Sequence, residues 1–365
     1  MTVPSLAARI PVVVLTGFLG AGKTTLLQKL VRRPELAGTA VIVNEFGEIG
    51  LDHDLLEAGD ETVVELDGGC LCCSVRSDLV DTLKDLHGRH VRARIDLARV
   101  VVETTGLADP APILATLLSD IYVSRYFRLA SVVTLIDAAA GGDTLDAHVE
   151  ARRQVAVADR LVLTKLDLAP EVGPLWSQLR RLNPTAPVLR AVDGEVDAAR
   201  LLEDGLYDPA TKGVDVQAWL RAEAHAHDHH DDHLHHHDVN RHGEDIRAFC
   251  LRREAPIPAA AFETFMDLLW SMRGADLLRV KGLVHLAEEG ERPLVFHAVQ
   301  HAVHPVVTLE RWPSNDRATR IVFIVRNIAP GKVEAMLDAL VAQAPEIEAG
   351  RAAAEGEGPL GRTPS

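Results

Sequence analysis

The chain has 365 residues, of which 47% are hydrophobic and 25% are charged, and its formal net charge at pH 7 is −15. These values indicate a globular protein with about two domains, and the acidic charge argues against nucleic acid as the main partner, because phosphate backbones are bound by concentrated Lys and Arg. No run of about 18 apolar residues occurs, so the sequence predicts no membrane-spanning helix and favours a cytoplasmic protein.

From residue 10 to about residue 210, short apolar runs alternate with segments of helical spacing. Continuous apolar runs are typical of strands buried on both faces of a parallel sheet, so the alternation predicts an α/β fold with helices on both faces. The predicted strands cover residues 11–16, 40–43, 62–66, 100–102, 132–136 and 161–163. The predicted helices cover residues 23–33, where Pro34 stops the helix, and residues 77–87, with Leu79, Leu83 and Leu86 on one face.

A phosphate-binding loop is predicted directly after the first strand. Residues 17–24 read GFLGAGKT and fit G-x-x-x-x-G-K-[ST] in full, between a strand and a helix. Backbone N–H groups of such a loop converge on phosphate oxygens, and the helix N-terminus adds partial positive charge. Lys23 is predicted to reach the β- and γ-phosphates, and Thr24 to bind Mg²⁺. The loop residues predicted to bind nucleotide are Gly17, Gly20, Ala21, Gly22, Lys23 and Thr24.

Two further motifs follow predicted strands. Residues 100–106 read VVVETTG, and an acidic residue at a strand end with a glycine three positions later suits the Mg²⁺ and γ-phosphate side of P-loop proteins. This pattern assigns those roles to Glu103 and Gly106.

The second motif, residues 161–167, reads LVLTKLD and is similar to the guanine-reading pattern N-K-x-D, with Thr164 in place of Asn. A carboxylate at Asp167 can accept hydrogen bonds from guanine N1–H and the exocyclic amine, which adenine does not offer. Lys165 can pack its stem along the base. The motif therefore favours GTP over ATP, and a solvated strand end is the alternative.

Three cysteines fall within four residues, at Cys70, Cys72 and Cys73. Cysteines just before a helix have lowered pKa values, and soft thiolates select Zn²⁺ or Cu(I), so the cluster predicts a metal site rather than a redox pair or a buried structural role. Carboxylates can complete such a site, and Glu48 or Glu45 is a candidate oxygen ligand, unless both belong to an exposed acidic loop. Cys250 is predicted to pack in a core.

A histidine-rich segment divides the chain. Between residues 225 and 237, eight of thirteen residues are His, and such a segment does not bury enough apolar surface to fold. We interpret it as a weak secondary metal site that feeds the cysteines, with low-complexity drift as the alternative. The histidines are His225, His227, His229, His230, His233, His235, His236 and His237. The predicted organisation is a nucleotide-binding domain over residues 1–212, a flexible linker over 213–244, an α+β domain over 245–348 and a disordered tail over 349–365.

The predicted C-terminal domain is small. Its strands are expected over residues 246–251, 277–286, 294–303 and 320–325, and its helices over residues 258–272 and 333–341. The first of these helices is expected to bury Phe262, Phe265, Leu269 and Met272.

Taken together, the motifs resemble the CobW-type metallochaperone GTPases of the P-loop superfamily, over nearly the whole chain. The segments that carry the resemblance are GFLGAGKTT at 17–25, NEFGEIGLD at 44–52, GGCLCCSVRSDL at 68–79, ETTGLADP at 103–110, TKLD at 164–167, LLRVKGLVHL at 277–286, RPLVFHAVQHAVHP at 292–305 and RW at 311–312. The phosphate loop alone is generic, whereas its combination with NEFGE, C-x-C-C and ETTG is specific.

The resemblance implies that Lys23, Thr24 and Thr25 serve phosphate and Mg²⁺, that Glu103 and Gly106 sense the γ-phosphate, and that Cys70, Cys72, Cys73 and Glu48 form the internal metal site. It implies GTP, Mg²⁺ and Zn²⁺ (or Co²⁺) as ligands and a client metalloprotein as partner, and it leaves a homodimer open. Three alternatives are a cobalt-handling GTPase of cobalamin synthesis or nitrile hydratase activation, a P-loop small-molecule kinase, and a non-catalytic metal buffer.

Overall fold

The computed structural model describes residues 8–43, 63–65, 74–169, 171–192, 194–202, 246–300, 302–303, 306–313 and 315–349. Glu48, the three clustered cysteines, the histidine-rich segment, the predicted linker over 213–244 and the tail from residue 350 onward lie outside the described residues. No described helix combines the length and apolar character that a membrane crossing requires.

A seven-stranded parallel sheet forms the centre of the N-terminal domain, as the alternating pattern predicts. The strands are β1 (Ile10–Gly17), β2 (Thr39–Val43), β3 (Val63–Glu65), β4 (Arg99–Glu103), β5 (Phe127–Asp137), β6 (Arg160–Thr164) and β7 (Val188–Arg190). Their order in the sheet is β3-β2-β4-β1-β5-β6-β7, and every neighbouring pair is parallel. Strands β2 and β6 are buried along their whole length, in agreement with burial on both faces.

Eight helices of the described chain flank this sheet. They are α1 (Lys23–Val31), α2 (Ser74–Val91), α3 (Ala111–Ser119), α4 (Ile121–Tyr126), α5 (Gly141–Ala147), α6 (Val149–Val157), α7 (Gly173–Leu182) and α8 (Ala198–Leu202). The predicted inner face of α2 is confirmed, since Leu79, Leu83 and Leu86 are at most 1% exposed. The predicted end of the first helix at Arg33 is wrong, because a residue before proline is driven out of the helical region, and Arg33 is extended with ψ 128°.

The C-terminal domain is an antiparallel sheet with two helices on one face. Its strands are β8 (Ile246–Arg253), β9 (Leu277–Val284), β10 (Leu294–Val299), β11 (Ala302–Val303), β12 (Val307–Thr308) and β13 (Thr319–Arg326), in the order β11-β10-β9-β13-β8 with β12 beside β10. The helices are α9 (Ala259–Arg273) and α10 (Pro330–Ala342).

Three details of the C-terminal domain differ from the sequence prediction. The strand expected over residues 294–303 is a hairpin, because Gln300 has φ 48° and turns the chain between β10 and β11. Met272 is 70% exposed and Met266 is buried in its place. At 100° per residue, Met272 lies about 20° from the buried Phe265 around the helix, so its direction does not explain the exposure. Met272 instead lies in the last turn of α9, one residue before the helix ends at Arg273. Cys250 is only half-buried.

The second face of the small sheet packs against the N-terminal domain. Leu278, Val299 and Ile324 share one hydrophobic cluster with residues of α3 and α6, including Leu114 and Val157. The two domains therefore bury a common apolar core, which is a favourable term for their association.

A buried ion pair crosses this interface. Asp159 and Arg279 have side chains that are each 1% exposed, and Arg279 donates hydrogen bonds to the Asp159 carboxylate and to the Val157 carbonyl. Lys281 Nζ lies 3.0 Å from Asp159 Oδ1, and the Val132 N–H donates to Oδ2 at 2.9 Å. Burial alone would raise the pKa of Asp159, but Arg279, Lys281 and the Val132 N–H lower it to about 2.

We expect Asp159→Asn to destabilise the protein by about 3–5 kcal/mol, because it leaves the Arg279 guanidinium buried without its counter-charge. Urea unfolding at pH 7 measures this change in the free energy of unfolding. A matched control is Asp338→Asn, which breaks the Arg253–Asp338 pair at 2.8 Å, where the side chains are 28% and 63% exposed. This exposed pair should contribute at most about 1 kcal/mol. Equal losses in the two variants would contradict the interface assignment.

The same variant has an expected pH signature. The pKa of Asp159 is lowered from 3.8 to about 2, so its contribution to stability is complete above about pH 4 and is lost as the pH falls through about 2. Wild-type stability should fall by roughly 2 kcal/mol more than that of Asp159→Asn over this interval.

Candidate functional site

The predicted nucleotide residues converge at one edge of the parallel sheet. Because all strands run in the same direction, the carboxyl ends of β1, β4 and β6 meet at this edge, where ligands bind in open α/β sheets. The phosphate loop follows β1, Glu103 ends β4 with Gly106 three residues later, and Thr164 ends β6 with Asp167 three residues later. The strand order β4-β1-β5-β6 thus places the phosphate loop between the other two segments.

Glycines give the phosphate loop its backbone shape. Gly17, Gly20 and Gly22 have φ angles of 144°, 74° and 88°, a region in which residues with a Cβ are strained. A Cβ at Gly17 would also lie 2.4 Å from the Leu135 carbonyl oxygen on β5. The start of the loop therefore contacts the neighbouring strand directly, which requires glycine at position 17.

Lys23 begins α1 and is held inside the loop. Lys23 is 8% exposed, and its Nζ donates to the carbonyl oxygens of Gly17 at 2.8 Å and Phe18 at 3.3 Å. The ammonium group is thus oriented by the backbone of the same loop whose N–H groups are expected to bind phosphate.

Thr24 and Glu103 meet next to this lysine. The Thr24 hydroxyl donates to Glu103 Oε1 at 3.1 Å, although the two residues are 79 positions apart, and Glu103 is 5% exposed. A hydroxyl and a carboxylate oxygen at the mouth of a phosphate loop are the hard oxygen donors that Mg²⁺ prefers. The donor set therefore fits the ion predicted for this position.

The segment after Glu103 lies on the phosphate loop. A Cβ at Gly106 would lie 2.6 Å from the Leu19 N atom and 2.8 Å from the Leu19 Cα, so only glycine allows this contact. The Thr104 hydroxyl donates to the Thr16 hydroxyl at 2.8 Å, and the Thr104 N–H donates to the Leu15 carbonyl at 2.9 Å. These contacts couple the position of residues 104–106 to that of the phosphate loop.

A residue that carries no motif holds this segment from the other side. Gln154 of α6 is fully buried, and its Nε2 donates to the Gly106 carbonyl and to the Ala108 carbonyl, both at 3.1 Å. Beside it, Arg153 forms an ion pair with Asp109 at 3.1 Å. The available sequence signal was a lone glutamine followed by the apolar run Val155–Val157, since a glutamine on a buried helix face requires partners.

The predicted base-reading residues take three different positions. Thr164 is 6% exposed and its hydroxyl donates to the Ala21 carbonyl at 2.9 Å and lies 3.2 Å from the Ile136 carbonyl, so it joins β6 to the phosphate loop. Lys165 has φ 53° and its Nζ lies 2.7 Å from Asp137 Oδ2. Asp167 is exposed, in the 3₁₀ turn Leu166–Leu168. The lysine contact and the N–H groups of residues 139 and 140 outweigh the effect of burial and lower the pKa of Asp137.

The predicted transition-metal ligands lie outside the described residues, but the strand before the cysteines and the helix after them are described. Cys70, Cys72 and Cys73 lie between β3 and α2, and α2 begins at Ser74, the residue after Cys73. This order agrees with the expectation that the cysteines precede a helix. Among the residues that the structure describes, no group of three or more His, Cys, Asp and Glu side chains is arranged to hold a metal ion.

Family models match both domains of the chain. Residues 11–190 match the family model described as "CobW/HypB/UreG, nucleotide-binding domain", and residues 246–341 match the "Cobalamin synthesis protein cobW C-terminal domain". The chain is 32% identical to the zinc chaperone YjiA of Escherichia coli over 291 residues, which cover 80% of this chain and 86% of that protein. It is 30% identical to the zinc chaperone CobW of a Sinorhizobium species over 374 residues, covering 91% and 98% of the two chains.

The solved structures include the Zn(II)-bound YjiA GTPase from E. coli. It superposes with a TM-score of 0.69 at 26% identity and covers 91% of this chain and 99% of that one. The fold predicted from the sequence is therefore confirmed, and the chain belongs to the CobW family of P-loop proteins, as its motifs predict.

Proposed function

We propose that the protein is a Mg²⁺-dependent GTPase that carries a transition metal, Zn²⁺ in particular, to a client metalloprotein in the cytoplasm. The observation that carries the proposal is the contact between Thr24 and Glu103 at 3.1 Å, beside the buried Lys23, at the end of the parallel sheet. A vestigial nucleotide fold would not need to keep all three groups. The names of the relatives, zinc chaperones in two bacteria, support the metal.

In this proposal each residue of the loop has a separate task. The N–H groups of residues 17–25, including that of Thr25, bind the phosphates, and Lys23 interacts with the β- and γ-phosphates. Thr24 and Glu103 would hold Mg²⁺, and the ion would neutralise negative charge on the phosphate oxygens. Gly106 would report the γ-phosphate, because its contact with Leu19 ties it to the phosphate loop.

The base would be read at the end of β6. Asp167 is exposed and is the carboxylate that would accept from guanine N1–H and the exocyclic amine. Thr164 would act indirectly, since its hydroxyl fixes the phosphate loop relative to this turn. Lys165 would lie along the base with its ammonium group held by Asp137.

The segments that carry the predicted transition-metal ligands begin close to Glu103, the proposed Mg²⁺ ligand. Val43 at the end of β2 pairs with Glu103 on one side and with Glu65 of β3 on the other. Strands lie about 4.8 Å apart, so the segments carrying Glu48 and the cysteines leave the sheet within about 10 Å of Glu103. A change at Glu103 would therefore have to cross at most two strands to reach the points where these segments begin.

The coupling has a thermodynamic form. If GTP changes the zinc affinity of Cys70, Cys72, Cys73 and Glu48 by some factor, zinc must change GTP affinity by the same factor. Hydrolysis would then switch the chain between a metal-holding and a metal-releasing state. The histidine-rich segment would serve as a weaker reservoir for the same ion.

Lys23→Ala is expected to lower kcat for GTP hydrolysis by at least about 100-fold, because it removes the positive charge that would stabilise the transferred phosphoryl group. Phosphate release at saturating Mg²⁺ measures this rate. Lys29→Ala, further along the same helix where the side chain is exposed, is the matched control and should retain wild-type hydrolysis. Wild-type activity in Lys23→Ala would contradict the assignment of the phosphate site.

Asp167→Asn is expected to reduce the preference for GTP over ATP by at least about tenfold, since the amide presents a donor to guanine N1–H in place of a second acceptor. The ratio of kcat/KM for the two nucleotides is the measurement. An unchanged ratio would show that guanine is not read at this turn.

Replacement of Cys72 and Cys73 by Ala is expected to weaken zinc binding by at least about 100-fold, because two thiolate ligands are lost. Competition with a chromogenic chelator measures zinc affinity in the presence of GDP and of a non-hydrolysable GTP analogue. In the wild-type chain the two affinities should differ by about 5- to 150-fold. Cys250→Ala is the control, since Cys250 lies on β8, and should change neither value. Equal wild-type affinities in the two nucleotide states would reject coupling, and a tighter affinity for Co²⁺ than for Zn²⁺ would favour the cobalt alternative.

A further inference from the structure

Gln154 is a buried polar group that contacts the proposed γ-phosphate segment and that the proposed function does not use. It is fully buried on α6, and its side-chain amide has two N–H donors. Both are engaged, one with the Gly106 carbonyl and one with the Ala108 carbonyl, each at 3.1 Å. The partner residues are 48 and 46 positions away, so the contact is not local in the chain.

The orientation of this amide is fixed by its surroundings. Turning it over would bring Oε1 against two carbonyl oxygens, which repel it, so only the present orientation satisfies the two acceptors. In that orientation Oε1 meets no hydrogen-bond donor within the described part of the chain. The two donors therefore fix the orientation of the amide, and both are directed at the segment after Glu103.

The backbone that carries Gln154 is itself anchored. The Thr134 hydroxyl of β5 donates to the Gln154 carbonyl at 2.8 Å. At the C-terminal end of the helix, the Asn183 Nδ2 donates to the carbonyls of Val155 and Ala158, both at 2.9 Å. Helix α6 is therefore held against the sheet, and Gln154 is a fixed support rather than a side chain that follows the segment it touches.

The support determines the direction of particular N–H groups. In a trans peptide the C=O and the N–H point in opposite directions. Holding the Gly106 carbonyl on Gln154 therefore turns the N–H of Leu107 away from α6, and holding the Ala108 carbonyl does the same for Asp109. The segment cannot rotate these peptides without breaking a buried hydrogen bond.

We infer that Gln154 is a positioning residue for the γ-phosphate: it holds residues 106–108 so that the Leu107 N–H is available to a nucleoside triphosphate, while the Ala108 N–H donates to the Thr105 carbonyl at 3.2 Å. The inference rests on the proposed GTPase function and adds to it a residue outside every nucleotide motif. GDP lacks the γ-phosphate, so its binding should not depend on Gln154, whereas binding of a triphosphate and its hydrolysis should.

The test uses Gln154→Met, which has nearly the same shape and no hydrogen-bonding groups to offer. The full-length chain is titrated with fluorescent GDP and with a fluorescent non-hydrolysable GTP analogue, and kcat and KM are measured for GTP. We expect GDP affinity to stay within about twofold of wild type, and analogue affinity and kcat to fall by about tenfold or more, as expected for two lost hydrogen bonds. Gln178→Met is the control, because Gln178 on α7 contacts Asp146 and not this segment.

A second variant guards against misfolding. In Gln154→Glu, burial raises the pKa of the introduced carboxyl, and its protonated form regains one donor. Its kcat relative to wild type should therefore rise as the pH is lowered, a response that a loss of packing does not produce. If Gln154→Met does not fold, as judged by thermal unfolding, the pH profile of Gln154→Glu decides.

Two results would overturn the inference. Equal losses of GDP and analogue affinity would show that Gln154 only supports the fold, and unchanged values in a folded Gln154→Met chain would show that the segment is positioned without it. A wild-type chain that hydrolyses no GTP would instead reject the proposed function, and with it this inference. The wild-type measurement therefore separates the two failures.

Discussion

The uniform direction of the strands in the large sheet is the constraint on which the site depends. In a parallel sheet every carboxyl end lies at one edge, so segments that are 79 and 143 residues apart in sequence meet around the phosphate loop. The contacts made there are short-range and specific: Thr24 reaches Glu103, Thr164 reaches Ala21, and Gly106 lies on Leu19. Each contact requires β4 or β6 to lie at its observed place relative to β1.

Helix α6 contacts both this edge of the sheet and the C-terminal domain. One of its residues, Gln154, holds the segment after Glu103, and its last residue, Val157, accepts a hydrogen bond from Arg279. On the opposite side of Glu103, strands β2 and β3 lead to the predicted metal ligands. In the sheet order, β4 with Glu103 thus lies between β1 with its phosphate loop and the two strands that precede the segments carrying the predicted metal ligands.

Much of this could be predicted from the sequence, because the signals are local. The phosphate loop is a continuous motif, and the buried leucines of α2 follow from helical spacing. The contacts of Gln154 and the Asp159–Arg279 pair could not be predicted from the sequence. Their partners lie 48 and 120 positions away, and these contacts depend on which elements pack together. Met272 was misplaced for a related reason, because helical spacing gives the direction of a side chain but not whether the neighbouring elements extend as far as the last turn of the helix.

The ion pair between Asp159 and Arg279 also has a consequence for the surface of each domain. Asp159 belongs to the N-terminal domain and Arg279 to the C-terminal domain, and the two domains share one apolar cluster. Separating the domains would expose these apolar residues and leave a negative charge on one surface and a positive charge on the other. The charges therefore favour the pairing of these two surfaces and disfavour contact of either surface with a like-charged one.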